Sequence, residues 1–128
     1  MAKPAVLDSS AVLAVFFSEP GEEIVVPVLQ GALLSTVNLA EVHTRMLDRG
    51  VPAQVAWKRM RSVQCEVCVF TDEQARIAAE LMPSTRPYGL SLGDRACLAL
   101  AIQRGAKVYT TDRVWKNLSL GIEIEVIR

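Results

Sequence analysis

Five short runs rich in valine, leucine and isoleucine recur along this chain, and the segments between them carry apolar residues at helical spacing. That alternation constrains the fold most, because successive parallel strands must be joined by crossovers, usually helices. Ala5 to Asp8 is the first run, an apolar triplet ending in a carboxylate. Gly31 to Thr36, Gln64 to Phe70, Lys107 to Thr111 and Ile122 to Ile127 follow as further strands. The intervening pattern predicts a helix from Ser9 and Ser10, read as caps, to Phe17. A second runs from Glu22 to Leu29, with Glu22 and Glu23 at its positive end and Pro27 inside it. Asn38 reads as the N-cap of a helix reaching Arg49, in which Leu39, Val42, Met46 and Leu47 repeat at helical spacing. Pro52 opens a helix to Ser62. Thr71-x-x-Gln74 and Ser91-x-x-Asp94 have capping-box spacing and start helices to Leu81 and Arg104, the latter closed by Gly105. Pro83 to Gly89 reads as a loop and Asp112 to Leu118 as a short helical turn. The expected fold is α/β, a three-layer α/β/α domain over residues 1–128 with a central parallel sheet of about five strands.

Composition narrows the function. Half of the 128 residues are apolar (51%), which suits a compact core. The 14 basic and 14 acidic side chains cancel, which excludes binding nucleic acid through a broad basic surface. An enzyme that holds RNA transiently, or works beside a partner, remains compatible. The longest apolar run, Ala11 to Phe17, is too short for a bilayer, which needs ~20 residues. The opening Met1-Ala2-Lys3-Pro4 lacks a secretory leader pattern, so a cytoplasmic, membrane-free protein is expected. Cys65, Cys68 and Cys97 are an odd number and argue against a disulfide framework. Cys65 and Cys68, three apart on a strand, point to opposite faces, and no second ligand pair completes a zinc site.

Four acids carry the chemistry. Open parallel sheets bind ligands beyond the carboxyl ends of their strands. Asp8 ends the first strand and Asp112 follows the fourth. Glu41 is expected in the first turn of the helix entered from the second strand, and Asp94 in the first turn of the helix feeding the fourth. All four can therefore meet at one edge. Each also has a plain structural use: Asp8 as a helix cap, Glu41 paired with Arg45, Asp94 as the capping-box acid, Asp112 as a turn aspartate. Brought together they repel, and a hard divalent cation, Mg²⁺ or Mn²⁺, would relieve that repulsion and activate water.

The residues around these acids resemble the motifs of PIN domains. Val6-Leu-Asp-Ser-Ser-Ala-Val-Leu-Ala14 is similar to the opening motif, and Val37-Asn-Leu-Ala-Glu-Val42 to the second. Leu90-Ser-Leu-Gly-Asp-Arg-Ala-Cys-Leu-Ala-Leu-Ala101 is similar to the third, and Val108-Tyr-Thr-Thr-Asp-Arg-Val-Trp115 to the fourth. The resemblance covers the whole chain and is nearest to the VapC toxins of bacterial toxin–antitoxin pairs. It implies an endoribonuclease whose Asp8, Glu41, Asp94 and Asp112 hold Mg²⁺ or Mn²⁺, with Ser10 and Thr110 supporting them by hydrogen bonds. It also implies a homodimer, silenced by a cognate VapB-type antitoxin through which promoter DNA is reached. A receiver-like signalling module, with Asp72 as the acid of the third strand, and a degenerate PIN scaffold are the alternatives.

Arg45, Arg49, Lys58, Arg59 and Arg61 gather positive charge on the two middle helices, either as an ordinary solvated face or as contacts to RNA phosphates. His43 leaves the face of Glu41 and reads as a structural or surface residue rather than a catalytic one. Trp57 and Trp115 read as packing residues, with base stacking as the sharper use.

Overall fold

The structure is a computed structural model that describes residues 3–128. Its strands are β1 (Ala5–Leu7), β2 (Leu33–Ser35), β3 (Glu66–Cys68), β4 (Lys107–Thr110) and β5 (Ile124–Val126). They form one sheet in the order β3-β2-β1-β4-β5, parallel throughout. The helices are α1 (Ser9–Phe16), α2 (Glu22–Leu29), α3 (Thr36–Asp48), α4 (Ala53–Ser62), α5 (Asp72–Glu80), α6 (Met82–Thr85) and α7 (Leu92–Arg104). Two 3-10 turns, Arg86–Tyr88 and Arg113–Asn117, complete the regular structure of the described residues.

The three layers follow from the two-residue period of the strands. Leu7, Leu34 and Tyr109 face one side, where they pack with Val12, Val42 and Met46 from α1 and α3. Val6, Leu33 and Val108 face the other, against Leu98 and Leu100 of α7 and the fully buried Trp115. Both faces of β1 and β4 are covered, which explains why these strands read as continuous apolar runs. α1 is apolar almost all round and buries Ala11, Val12 and Ala14 completely. Among the described residues no helix is long and apolar enough to cross a membrane.

Several local expectations are corrected. Asn38 does not cap α3. The helix begins three residues earlier than the expected cap implies, because Ser35 ends β2 and its hydroxyl accepts from the Val37 N–H at 3.2 Å. Ser9 and Ser10 lie inside α1, and Asp8 occupies the N-cap position without a side-chain capping bond. Pro52 sits just before α4 rather than within its first turn. Pro83 to Gly89 is not a loop: Pro83 and Pro87 fall at the starts of α6 and the following 3-10 turn, where a missing N–H costs nothing. Thr71 accepts from the Gln74 N–H, but Gln74 turns its amide to Gln103 of α7 at 2.8 Å instead of closing the box. The strand order excludes the receiver-like alternative, whose doubly wound order is 2-1-3-4-5. Asp72 is simply an exposed residue in the first turn of α5.

Candidate active site

From β1 the chain crosses to β2 on one side, and from β4 it crosses to β5 on the other, so the winding reverses between these two neighbours. A crevice opens beyond the carboxyl ends at such a point. Here it is a cleft of about 970 Å³ whose walls include Asp8, Glu41, Asp94 and Asp112. All four acids read from the sequence reach it.

Asp8 follows β1, its N–H bonded to the Tyr109 carbonyl of β4 at 3.0 Å. Asp8 is 5% exposed. The Ser10 hydroxyl donates to Oδ2 at 2.6 Å and the Thr110 hydroxyl to the same atom at 2.9 Å. Those hydroxyls are oriented in turn: Ser10 Oγ accepts from the Thr111 N–H at 3.0 Å and Thr110 Oγ1 from the Asp112 N–H at 3.1 Å. The supporting roles expected of Ser10 and Thr110 thus have a geometry. Burial pushes the Asp8 pKa up to about 6; the Ser10 bond opposes the rise and the Asp94 charge adds to it.

Glu41 lies in the second turn of α3 rather than the first, because the helix starts at Thr36. Its Oε1 accepts from the Ser9 hydroxyl at 2.5 Å and from Asn38 Nδ2 at 3.0 Å. Asn38 is fully buried, and its amide nitrogen also reaches the Gly93 carbonyl at 3.1 Å, tying α3 to α7. Gly93 is required by this arrangement: an added Cβ would overlap Glu41 Oε2 and stand 2.5 Å from Cδ and 2.7 Å from Oε1. Sequence reasoning missed both residues. The signals were the i, i+3 spacing of Asn38 and Glu41 and a glycine interrupting the helical pattern beside Asp94.

Asp94 closes a complete capping box. Its Oδ2 accepts from the Ser91 N–H at 2.8 Å, and its own N–H donates to Ser91 Oγ at 3.2 Å. Burial raises its pKa, hydrogen bonds from Ser91 oppose the rise, and repulsion from Glu41 and Asp112 adds to it. Asp112 is exposed and caps the 3-10 turn, Oδ1 accepting from the Val114 N–H at 3.1 Å. Each structural use foreseen for Asp94 and Asp112 is therefore real, and each acid faces the cleft as well. Glu41 makes no ion pair with Arg45 among the described residues.

One oxygen of every carboxylate is thus fixed by the protein. As placed, no three described His, Cys, Asp or Glu side chains already surround one point at ligand distance. The donor set nevertheless suits a hard divalent cation. It is all oxygen, and Asp8, Glu41, Asp48, Asp94 and Asp112 face only Arg45 across the cleft.

The basic residues divide. Arg45 lines the cleft, while Arg49 pairs with Glu19 at 3.6 Å and lies over the Phe17 ring. Lys58, Arg59 and Arg61 do not line it. α4 turns Ala56 and Met60 to the core and these charges to solvent, so the structure does not bring them to the acids. His43 packs edge-on against Trp57, and Trp115 is buried, as a packing role requires. All three cysteines are free thiols; Cys97 lies fully buried, its pKa pushed up by desolvation and by Asp8, Asp94 and Glu41.

The fold recurs in solved structures. A DNA-bound VapBC complex from Salmonella typhimurium matches with a TM-score of 0.73 at 18% identity, covering 98% of each chain. VapBC2 from Rickettsia felis, bound to a fragment of its promoter DNA, matches with a TM-score of 0.72 at 15% identity, covering 94% of this chain and 96% of the other. VapBC-5 from Mycobacterium tuberculosis matches at 23% identity with a TM-score of 0.61, covering 100% of this chain and 99% of the other. A comparison with curated proteins finds no match. The PIN domain family model matches residues 5–120, nearly all of the chain and every one of the four acids, and with the cleft as described this establishes that the chain belongs to the PIN domain family.

Proposed function

We propose that this chain is the toxin of a toxin–antitoxin pair, of VapC type, and cuts RNA phosphodiester bonds with a water activated at a carboxylate-held Mg²⁺ or Mn²⁺. The observation that carries the reading is the convergence of Asp8, Glu41, Asp94 and Asp112, from four separate elements, on one cleft of a PIN domain. A divalent cation held there would supply Lewis acidity, making a water more acidic and offsetting charge that develops on the phosphate.

The four acids are the residues that would hold it. Asp8 is the anchor: it is buried, and two hydroxyls fix its Oδ2. Asp94 and Asp112 are each held through one oxygen by a backbone N–H. Glu41 is exposed and held by Ser9 and Asn38, and it or Asp94 would orient the attacking water and accept its proton. One oxygen of each carboxylate is already tied to the protein, which limits how far these side chains must move to gather a cation.

The partner reading draws on the solved neighbours, which are toxin–antitoxin complexes, two of them bound to DNA. By likeness, this chain forms a homodimer, is silenced by a VapB-type antitoxin in the cytoplasm, and meets promoter DNA only through that antitoxin. The test is cleavage of total cellular RNA by purified, partner-free protein with Mg²⁺ or Mn²⁺, beside EDTA and Asp94→Asn controls. Discrete products that vanish in both controls support the reading; folded protein that leaves RNA intact with either metal refutes it.

A further inference from the structure

RNA is a polyanion, and the cleft it must enter presents five carboxylates against the single guanidinium of Arg45. A bound cation offsets part of that charge at the scissile phosphate. Flanking phosphates still meet repulsion unless cations stand beside the cleft. The chain has no net charge, so no overall positive field draws the strand in.

A local group of cations is in place. A second cavity of about 170 Å³ shares Ser10, Leu13 and Arg45 with the cleft and is completed by Phe17, Glu19, Arg49 and Arg128. Glu19 stands between the two further arginines. Its Oε2 is 3.6 Å from Arg49 Nη2, and its Oε1 accepts from Arg128 Nη1 at 3.3 Å. Arg128 Nη1 donates also to the Pro20 carbonyl at 3.1 Å, and the Arg49 guanidinium lies 4.4 Å from the centre of the Phe17 ring. Apart from Arg45, which this wall shares with the cleft, two guanidinium groups meet one carboxylate, so the wall keeps an excess of positive charge. Exposed ion pairs of this kind add little to stability. What they do is hold two long cations in place, which lowers the entropy lost when an anion is bound.

We propose that Arg45, Arg49 and Arg128 form a subsite for a backbone phosphate of the RNA strand next to the scissile bond, with Glu19 and Phe17 as positioning residues. The planar guanidinium fork matches phosphate oxygens, and the shared wall places the subsite beside the acids. This rests on the ribonuclease reading. The sequence pointed to Arg45 and Arg49, whereas Arg128 joins them only through Glu19, across nearly the whole chain.

The test is fluorescence anisotropy with a labelled random-sequence RNA 20-mer and Mg²⁺, in an Asp94→Asn background that blocks cleavage, over a salt series. Arg49→Gln and Arg128→Gln are each expected to weaken binding about tenfold and to flatten the dependence of log K on log salt by about 0.7, the value for one phosphate contact on a single strand. Lys58→Gln and Arg59→Gln change the net charge equally but lie off the cleft, and are expected to leave both quantities unchanged. In the active background, Arg49→Gln should raise KM for RNA and hold kcat. Equal effects from all four variants, or none from Arg49 and Arg128 in folded protein that still cuts RNA, overturn the subsite alone. A parent that neither binds nor cuts RNA overturns the ribonuclease reading with it. Loss of poly-glutamate binding in the arginine variants, with RNA affinity intact, makes the wall a protein-docking site and overturns the proposal.

Discussion

Replacing Gly93 with alanine separates the site from the fold. The glycine is the second residue of α7, in ordinary helical conformation, so alanine should favour the helix by about 0.5–1 kcal/mol. The added methyl, however, lands on the Glu41 carboxylate. Normal contact begins near 3.4 Å, against 2.5 Å to Cδ and 2.7 Å to Oε1 with Oε2 closer still, so the carboxylate must retreat by more than about 1 Å. The Gly93 backbone cannot give way without breaking its carbonyl's bond to Asn38. Glu41 therefore leaves Asn38 and Ser9, two hydrogen bonds worth about 1 kcal/mol each, partly recovered in water because the side chain is exposed. The stability terms nearly cancel, and Tm should move by less than about 5 °C. Misplacing a catalytic group by 1 Å costs about 100-fold in rate. The assay is metal-dependent RNA cleavage beside thermal unfolding. Gly105→Ala is the control: it sits at φ +59 with open space around it, so it should cost stability by about 1 kcal/mol and spare the activity of folded protein. Full activity in a stable Gly93→Ala protein would refute the role given to the Glu41 position.

Three further outcomes are expected. Asn38→Ala removes the buried amide that holds Glu41 and binds the Gly93 carbonyl; cleavage should fall at least tenfold and stability by about 1–3 kcal/mol, since a buried carbonyl loses its donor. Paired Ser10→Ala and Thr110→Val changes strip both hydroxyls from Asp8, so its pKa should climb further above about 6 and Mn²⁺ affinity should fall at neutral pH, read by calorimetry. The raised Asp8 pKa also fixes a pH dependence. Between its ordinary 3.8 and about 6 the native state binds the proton more tightly than the unfolded chain, so metal-free stability should fall as pH rises through that window. The loss from Asp8 between about pH 5 and 7 is roughly 1 kcal/mol, Asp94 acting in the same direction. Urea unfolding should show it, and saturating Mn²⁺ should abolish it.

The layered fold was legible because strands buried on both faces leave apolar runs, and because Gly105 and the Ser91–Asp94 box mark α7 in a few adjacent residues. Asp8 and Asp112 were legible for the same reason: one directly follows a buried strand and the other comes two residues after one. What failed depends on contacts distant in sequence. Asparagine serves equally as a helix cap and as a buried amide donor, and only the Gly93 carbonyl, on another helix, decides for the second use at Asn38. Gln74 likewise reads as a local capping residue until Gln103 is brought beside it. Positive charge on α4 could not be assigned to a face, because helical spacing fixes which residues are buried but not which neighbour the exposed face meets.

The measurement closest to the central claim is anomalous diffraction from crystals grown with Mn²⁺ near neutral pH. The expected result is a peak inside the cleft, with carboxylate oxygens of Asp8 and at least one of Glu41, Asp94 and Asp112 about 2.1 Å away, as hard divalent cations require, and no such peak in Asp94→Asn crystals. Manganese found only outside the cleft, in crystals of protein that cuts RNA in a metal-dependent way, would contradict the assignment of these four acids as its holders.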